Sequence, residues 1–491
     1  MSLLCGHKLL KTGFKNYSKL RRFTSEVTNS EVLVQYFGLP SYKTNSYIKK
    51  QKLGRIRPEN LIQTANFCKE VGFDLKTVLD APMLLRFYPS TVDQYYTVLK
   101  EGGFKNITPK VLAKFRTLCR APIYKLKNRH IDRKTDVVAS FISHLNPRPE
   151  NFTVNTSGDE EVWAEAHFKV LLEYLKWRLN ATDDDIAKLV KVHPTVCRKS
   201  FKYLCENIAT AEELGFTHDK ILKYGYILHA YPKYTKEVME KYPVVAGACI
   251  KRAMRMYPKI VNTSPSNIKR ILQILRDHNI SDEAIAKRMN VLHISPETVD
   301  IRLHELKNVA DFKVLLHNPN ILKLVIHHNR AKSRLQFLKE LQLKCTTVSV
   351  LGNDNNKFDI HIREGRDANT FTDIYAFLKG TFKKEVDEFE ATLKKHPYYL
   401  QVPLLSMEDT YFYLREEKFS NSAIFKVIYI LLYPKEKIKN AFKEVNQFAS
   451  RRSKHLSQIS RLNLALYFIE REHHFTGDGV WEKNERIEEA A

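Results

Sequence analysis

The sequence lacks what would tie it to a bilayer or to a disulfide framework. No apolar run approaches the roughly 20 residues of a membrane-spanning helix; VIYILLY, from Val427 to Tyr433, reads as buried-helix material. Seven cysteines are scattered without a Cys-x-x-Cys pair, so neither a zinc cluster nor a disulfide scaffold is indicated, and reduced, buried thiols are expected. Catalytic signatures are missing too: there is no GxGxxG, Walker loop, HExxH or G-x-S-x-G. His193, His229, His317, His327, His328 and His396 fall mostly at the ends of helical phrases, and the adjacent pair His327–His328 cannot converge on one ion. The carboxylates Asp183 to Asp185 suit helix initiation better than acid–base work. No enzyme, cofactor or metal centre is expected.

Acid is the scarcest ingredient relative to its counterpart. Lys and Arg total 80 against 55 Asp and Glu, a net charge of +25, which predicts attraction to a polyanion. No acidic residue precedes Glu26, while Lys8, Lys11, Lys15, Lys19, Arg21 and Arg22 alternate with leucines and Phe14. That composition suits a mitochondrial transit peptide over 1–25 and lacks the continuous apolar core of a secretory signal. A polar lead-in occupies 26–57, with no clear repeat phase.

What is present from Pro58 onward is repetition. Apolar residues recur at three- and four-residue spacing in short segments, as one-faced helices require. Pro194, Pro232, Pro258 and Pro319 each follow such a run, and the spacing predicts helix stops there. Intervals between prolines, such as 40 residues from Pro82 to Pro122 and 38 from Pro194 to Pro232, suggest the repeat length. Thr108, Thr182, Thr217 and Ser281 are expected N-caps, and Gly72 and Gly215 expected C-terminal turns. The phrase is a long amphipathic helix, a tight turn, a capped shorter helix, an apolar pair and a proline. Units too small to bury their own apolar face must stack, so the expected fold is all-α, a solenoid of repeated short helical units. Repeats are expected over 58–345, with an exposed insertion near 146–160. An irregular insertion follows at 346–370, then repeats over 371–461 and an acidic tail over 462–491.

The phrase resembles the mitochondrial transcription termination factor (mTERF) family. GFTHDKILKYGYILHAYP, HNISDEAIAKRMNVLHISP and GFDLKTVLDAPMLL carry the resemblance, which covers roughly 58 to 460. The segment 346–370 and Pro296, which lies beyond the expected His293 position, depart from the pattern and unsettle the repeat register there. The resemblance implies a curved left-handed superhelix with a basic surface for nucleic acid, and a matrix protein associated with the nucleoid.

Basic clusters are the candidate nucleic-acid contacts. They are Arg198, Lys199 and Lys202; Lys251, Arg252, Arg255, Lys259, Lys269 and Arg270; Arg330, Lys332 and Arg334; and Lys435, Lys439, Arg451 and Arg452. The interval from Lys251 to Arg276 holds no acid. Phosphates need donors repeated over distance, which stacked units can supply. Charge alone does not separate DNA from RNA. The resemblance favours double-stranded mitochondrial DNA and control of transcription by termination or modulated initiation. A mitochondrial RNA-binding factor in ribosome assembly or translation and a protein scaffold are the alternatives, and contact with other transcription proteins is a further expectation.

Overall fold

The computed structural model describes residues 27–365, 367–384, 390–452 and 456–472; the expected leader at 1–25 lies outside them. The chain divides into two compact units, Met1–Pro232 and Lys233–Ala491. Regular structure among the described residues is helical, apart from two isolated bridges and one hairpin pairing Val244–Val245 with Ala248–Cys249. The fold is all-α, built from short helices that pack mostly on their sequence neighbours.

Among the described residues, seven helices of thirteen residues set the rhythm: α1 (Pro58–Glu70), α2 (Pro89–Glu101), α3 (Phe201–Glu213), α4 (Pro265–Asp277), α5 (Pro296–Asn308), α6 (His328–Glu340) and α7 (Leu404–Glu416). Four of them open on proline at the first helical position, where the missing amide costs nothing and φ is already helical. This corrects the role expected of proline. Pro232 likewise opens a helix, and Pro194 and Pro258 open 3-10 turns. The residues before these last two, His193 and Tyr257, are pushed out of helical geometry (ψ 62° and 74°), so the stop falls one residue earlier. Measured from helix start to helix start, the repeat is 31 residues from Pro58 to Pro89, 31 from Pro265 to Pro296 and 32 from Pro296 to His328. The longer proline intervals had mixed prolines from different places in the unit. Pro296 is therefore in phase.

Six of the seven long helices end alike. Gly72, Gly103, Gly215, Asn279, Gln342 and Lys418 have φ between 58° and 82°, two residues past the helix. The following amide then reaches back, as in Phe216 N to Ala211 O (3.0 Å), Ile280 N to Leu275 O (2.9 Å) and Phe419 N to Leu414 O (3.0 Å). This is the Schellman arrangement, and the apolar residue that follows, such as Phe104, Phe216, Ile280 or Phe419, is buried against the helix it closes. The second, shorter helix then starts on its own cap. Thr182 and Asp185 form a reciprocal capping box, and Thr108 and Ser281 each accept an amide at 3.3 Å. Thr217 occupies the cap position but its hydroxyl takes no such bond.

The short helices in turn end on corner residues of one conformation. His193, Tyr224, Tyr257, Arg288 and Val427 have φ from −135° to −103° and ψ from 50° to 74°. Carbonyls in the turns around and beyond these corners need donors, and the seventh residue of the preceding long helix often supplies one. Asn207 donates to Leu228 O and Ala230 O, Arg302 to Val325 O and Ile326 O, and Thr410 to Tyr433 O. These repeats are thereby locked to the next turn of chain by a buried polar bond as well as by their apolar faces.

Three segments outside the expected repeats contain helix. The lead-in carries Asn29–Gln35 and Ser41–Lys50, and the region 346–370 carries Val348–Gly352, buried through Val348, Val350 and Leu351, and Asn355–Glu364. The start of the expected acidic tail belongs to Gln458–Glu472, which packs on Lys435–Arg452 through Leu462, Ala465 and Ile469. Residues 146–157 carry no regular structure and are exposed or half-buried.

Candidate nucleic-acid interface

The basic residues picked from the sequence fall into three physical classes. Lys199 and Arg334 are buried, 6% and 5% exposed, and their charge is used inside the fold. Lys199 donates from Nζ to His229 O at 3.0 Å and lies over the Tyr203 ring, and burial pushes its pKa down to about 7. Arg334 is the seventh residue of α6. Its guanidinium reaches Val350 O (3.0 Å), Asn353 O (2.7 Å), Asp354 O (3.0 Å) and Asn355 Oδ1 (3.1 Å), and stacks on Phe358. Neither can reach a phosphate, because each terminates a neighbouring turn of chain. Both are removed from the candidate interface.

A second class is accessible but faces an acid. Arg270 lies 3.3 Å from Glu297, Lys332 3.1 Å from Glu305, and Lys439 3.5 Å from Glu436 with its ammonium also over the Tyr413 ring. Their field is largely cancelled locally. Lys435 is half-buried at the start of the Lys435–Arg452 helix, and the side chains of Arg451 and Arg452 lie outside the described part of the molecule.

The third class is exposed and meets no carboxylate within ion-pair distance among the described residues: Arg198 and Lys202 in the first unit, and Arg252, Arg255, Lys259, Lys269 and Arg330 in the second. Arg252 and Arg255 are three residues apart on Ile250–Met256, directly after the hairpin. Ala246 and Gly247 make its tight turn with φ of 50° and 79°. Lys259 sits on the following 3-10 turn, and Lys251 belongs to the same exposed helix.

The structure adds cations that clusters in sequence do not reveal. Arg288, a corner residue, donates to Asn320 Oδ1 at 3.0 Å, and Lys323 donates to Asn353 Oδ1 at 2.9 Å. Arg330 reaches Asn353 O at 3.1 Å. Burial and then the fields of Arg288 and Lys357 hold the Lys323 pKa below its usual value. Burial, then Arg330, Lys323 and Arg288, does the same to His327, and burial with Lys259 depresses His293. Burial is the larger cause in each case, and the smaller one is that cations from successive repeats lie close enough to repel one another. An anion placed among them would relieve that repulsion. Lys323 stands alone in sequence and Arg288 follows only Lys287, and reading corner positions at the 31- to 33-residue interval is the signal that would have found Arg288.

No protein-family model matches the chain, and no solved structure matches it. Among curated proteins, it is 28% identical over 444 residues to "Transcription termination factor 5, mitochondrial" of Drosophila melanogaster, an alignment spanning 88% of this chain and 79% of that protein. The chain is a distant relative of a mitochondrial transcription termination factor. The similarity runs through both units rather than through one shared segment, and it agrees with the family resemblance of the repeat phrase. Among the described residues no helix is long and apolar enough to cross a membrane.

Proposed function

We propose that this chain is a mitochondrial nucleic-acid-binding regulator that occupies double-stranded DNA and thereby controls transcription, by termination or by modulating initiation, without chemistry of its own. The observation that carries the reading is the un-neutralised set Arg252, Arg255, Lys259, Arg288, Lys323 and Arg330 in the second unit, spread over successive repeats. Such spacing suits a run of backbone phosphates, each contact releasing counterions and adding affinity without regard to sequence. The relative's name supports the mitochondrial setting and the link to transcription, and the expected leader agrees with it.

The test is binding of the wild type and of the triple variant Arg252→Ala, Arg255→Ala, Lys259→Ala to duplex DNA and to matched structured RNA across a salt series. The variant should keep its circular dichroism, lose affinity on unrelated DNA sequences as well as preferred ones, and flatten the salt slope by about 0.9 for each phosphate contact removed. Unchanged affinity and slope on DNA would reject this interface. A loss confined to RNA would replace the reading with a role in ribosome assembly or translation.

A further inference from the structure

Between α4 and α5 three side chains with metal-binding atoms converge. His278 is the residue that closes α4, its amide bonded to Ile274 O at 3.0 Å, and it is 7% exposed. Asp300 and His304 lie four residues apart on α5, so they share one face of that helix. His278 Nε2 is 3.0 Å from Asp300 Oδ1, and His304 Nε2 is 3.6 Å from the same oxygen. The two imidazoles meet edge to face with centroids 4.7 Å apart, and one ligand atom from each residue lies within 4.8 Å of the others.

We propose that His278, Asp300 and His304 bind a divalent transition metal of the zinc class, which clips α4 to α5. Zinc holds nitrogen and oxygen ligands at about 2.0–2.2 Å, so the edges of its tetrahedron are roughly 3.3–3.6 Å. The separations of 3.0 and 3.6 Å bracket that edge, so small rotamer changes suffice to seat the ion. Two imidazoles with one carboxylate suit zinc and its neighbours in the transition series, whereas magnesium and calcium take all-oxygen shells. In the metal-free chain Asp300 Oδ1 accepts the proton of His278 Nε2, so binding exchanges that proton for the ion; the buried Nδ1 has no partner. His304 is 36% exposed, leaving a side of the ion open to water. This site is independent of the nucleic-acid reading.

The experiment uses the full chain freed of metal with a chelator, then titrated with zinc, with cobalt as an optical probe, and with magnesium as control. Wild type should take up one zinc ion per chain, give the visible bands of four-coordinate cobalt without thiolate absorption, and ignore magnesium. His304→Ala, a half-exposed position that should fold normally, and Asp300→Asn should each weaken zinc binding by about tenfold or more at unchanged helicity. Wild-type zinc affinity in His304→Ala would place any bound ion elsewhere and overturn the proposal. Failure of the wild type to bind zinc in preference to magnesium would overturn it as well.

Discussion

Glu101 Oε1 accepts a 2.6 Å hydrogen bond from the hydroxyl of Ser200, 99 residues further along the chain. The same carboxylate accepts Phe201 N at 3.0 Å and Lys202 N at 2.9 Å, so the last residue of α2 caps the start of α3. The cap is 2% exposed, and burial outweighs its three donors, pushing the carboxyl pKa up from 4.5 to about 7. Folded chains therefore hold more protons than unfolded ones between these values. The contribution is complete below about pH 4.5 and is lost as pH rises through about 7. Comparing wild type with Glu101→Gln, urea unfolding at pH 5 and pH 8 should show the wild type losing on the order of 1–3 kcal/mol more than the variant. Parallel pH profiles would show that Glu101 does not titrate in this range.

Arg330 and Arg334 are one helical turn apart and should behave oppositely. Arg334→Met leaves several buried carbonyls without their donor, and stability should fall by about 2–4 kcal/mol. Affinity for duplex DNA, measured on the folded fraction, should stay at the wild-type value. Arg330→Ala should change stability by no more than about 0.5 kcal/mol and reduce the salt dependence of DNA binding. A competition assay at two salt concentrations, run beside denaturant titrations, separates the two outcomes.

The Schellman turns give a third expectation. Gln342 and Lys418 hold φ of 60° and 64°, where a β-carbon costs about 1 kcal/mol that glycine avoids. Gln342→Gly and Lys418→Gly should each stabilise the chain by roughly that amount, and Gly215→Ala, at φ 80°, should destabilise it comparably. Thermal melts of the three variants decide the matter; a drop in Tm for both glycine substitutions would contradict the turn assignment.

The sequence by itself determined the helical class, the capped turns and the basic excess, because these are properties of neighbouring residues. Gly215-Phe216 signals a left-handed turn followed by an apolar anchor, and Thr182 with Asp185 signals a helix start, wherever in space the helix goes. The repeat length was harder, since Pro194 and Pro232 look alike in sequence but open a 3-10 turn and a ten-residue α-helix respectively. Among the cations, local reading grouped Arg252 and Arg255 in an acid-free basic interval and could not distinguish them from Lys199 or Arg334. Only the tertiary structure decided that. Whether a charge points to water or to a carbonyl depends on what the next repeat brings against it, as Val350 and Asn353 are brought against Arg334 and as α5 brings Asp300 and His304 against His278. A desolvated guanidinium is tolerable only when such partners surround it, and those partners come from a separate turn of chain whose arrival no local pattern encodes.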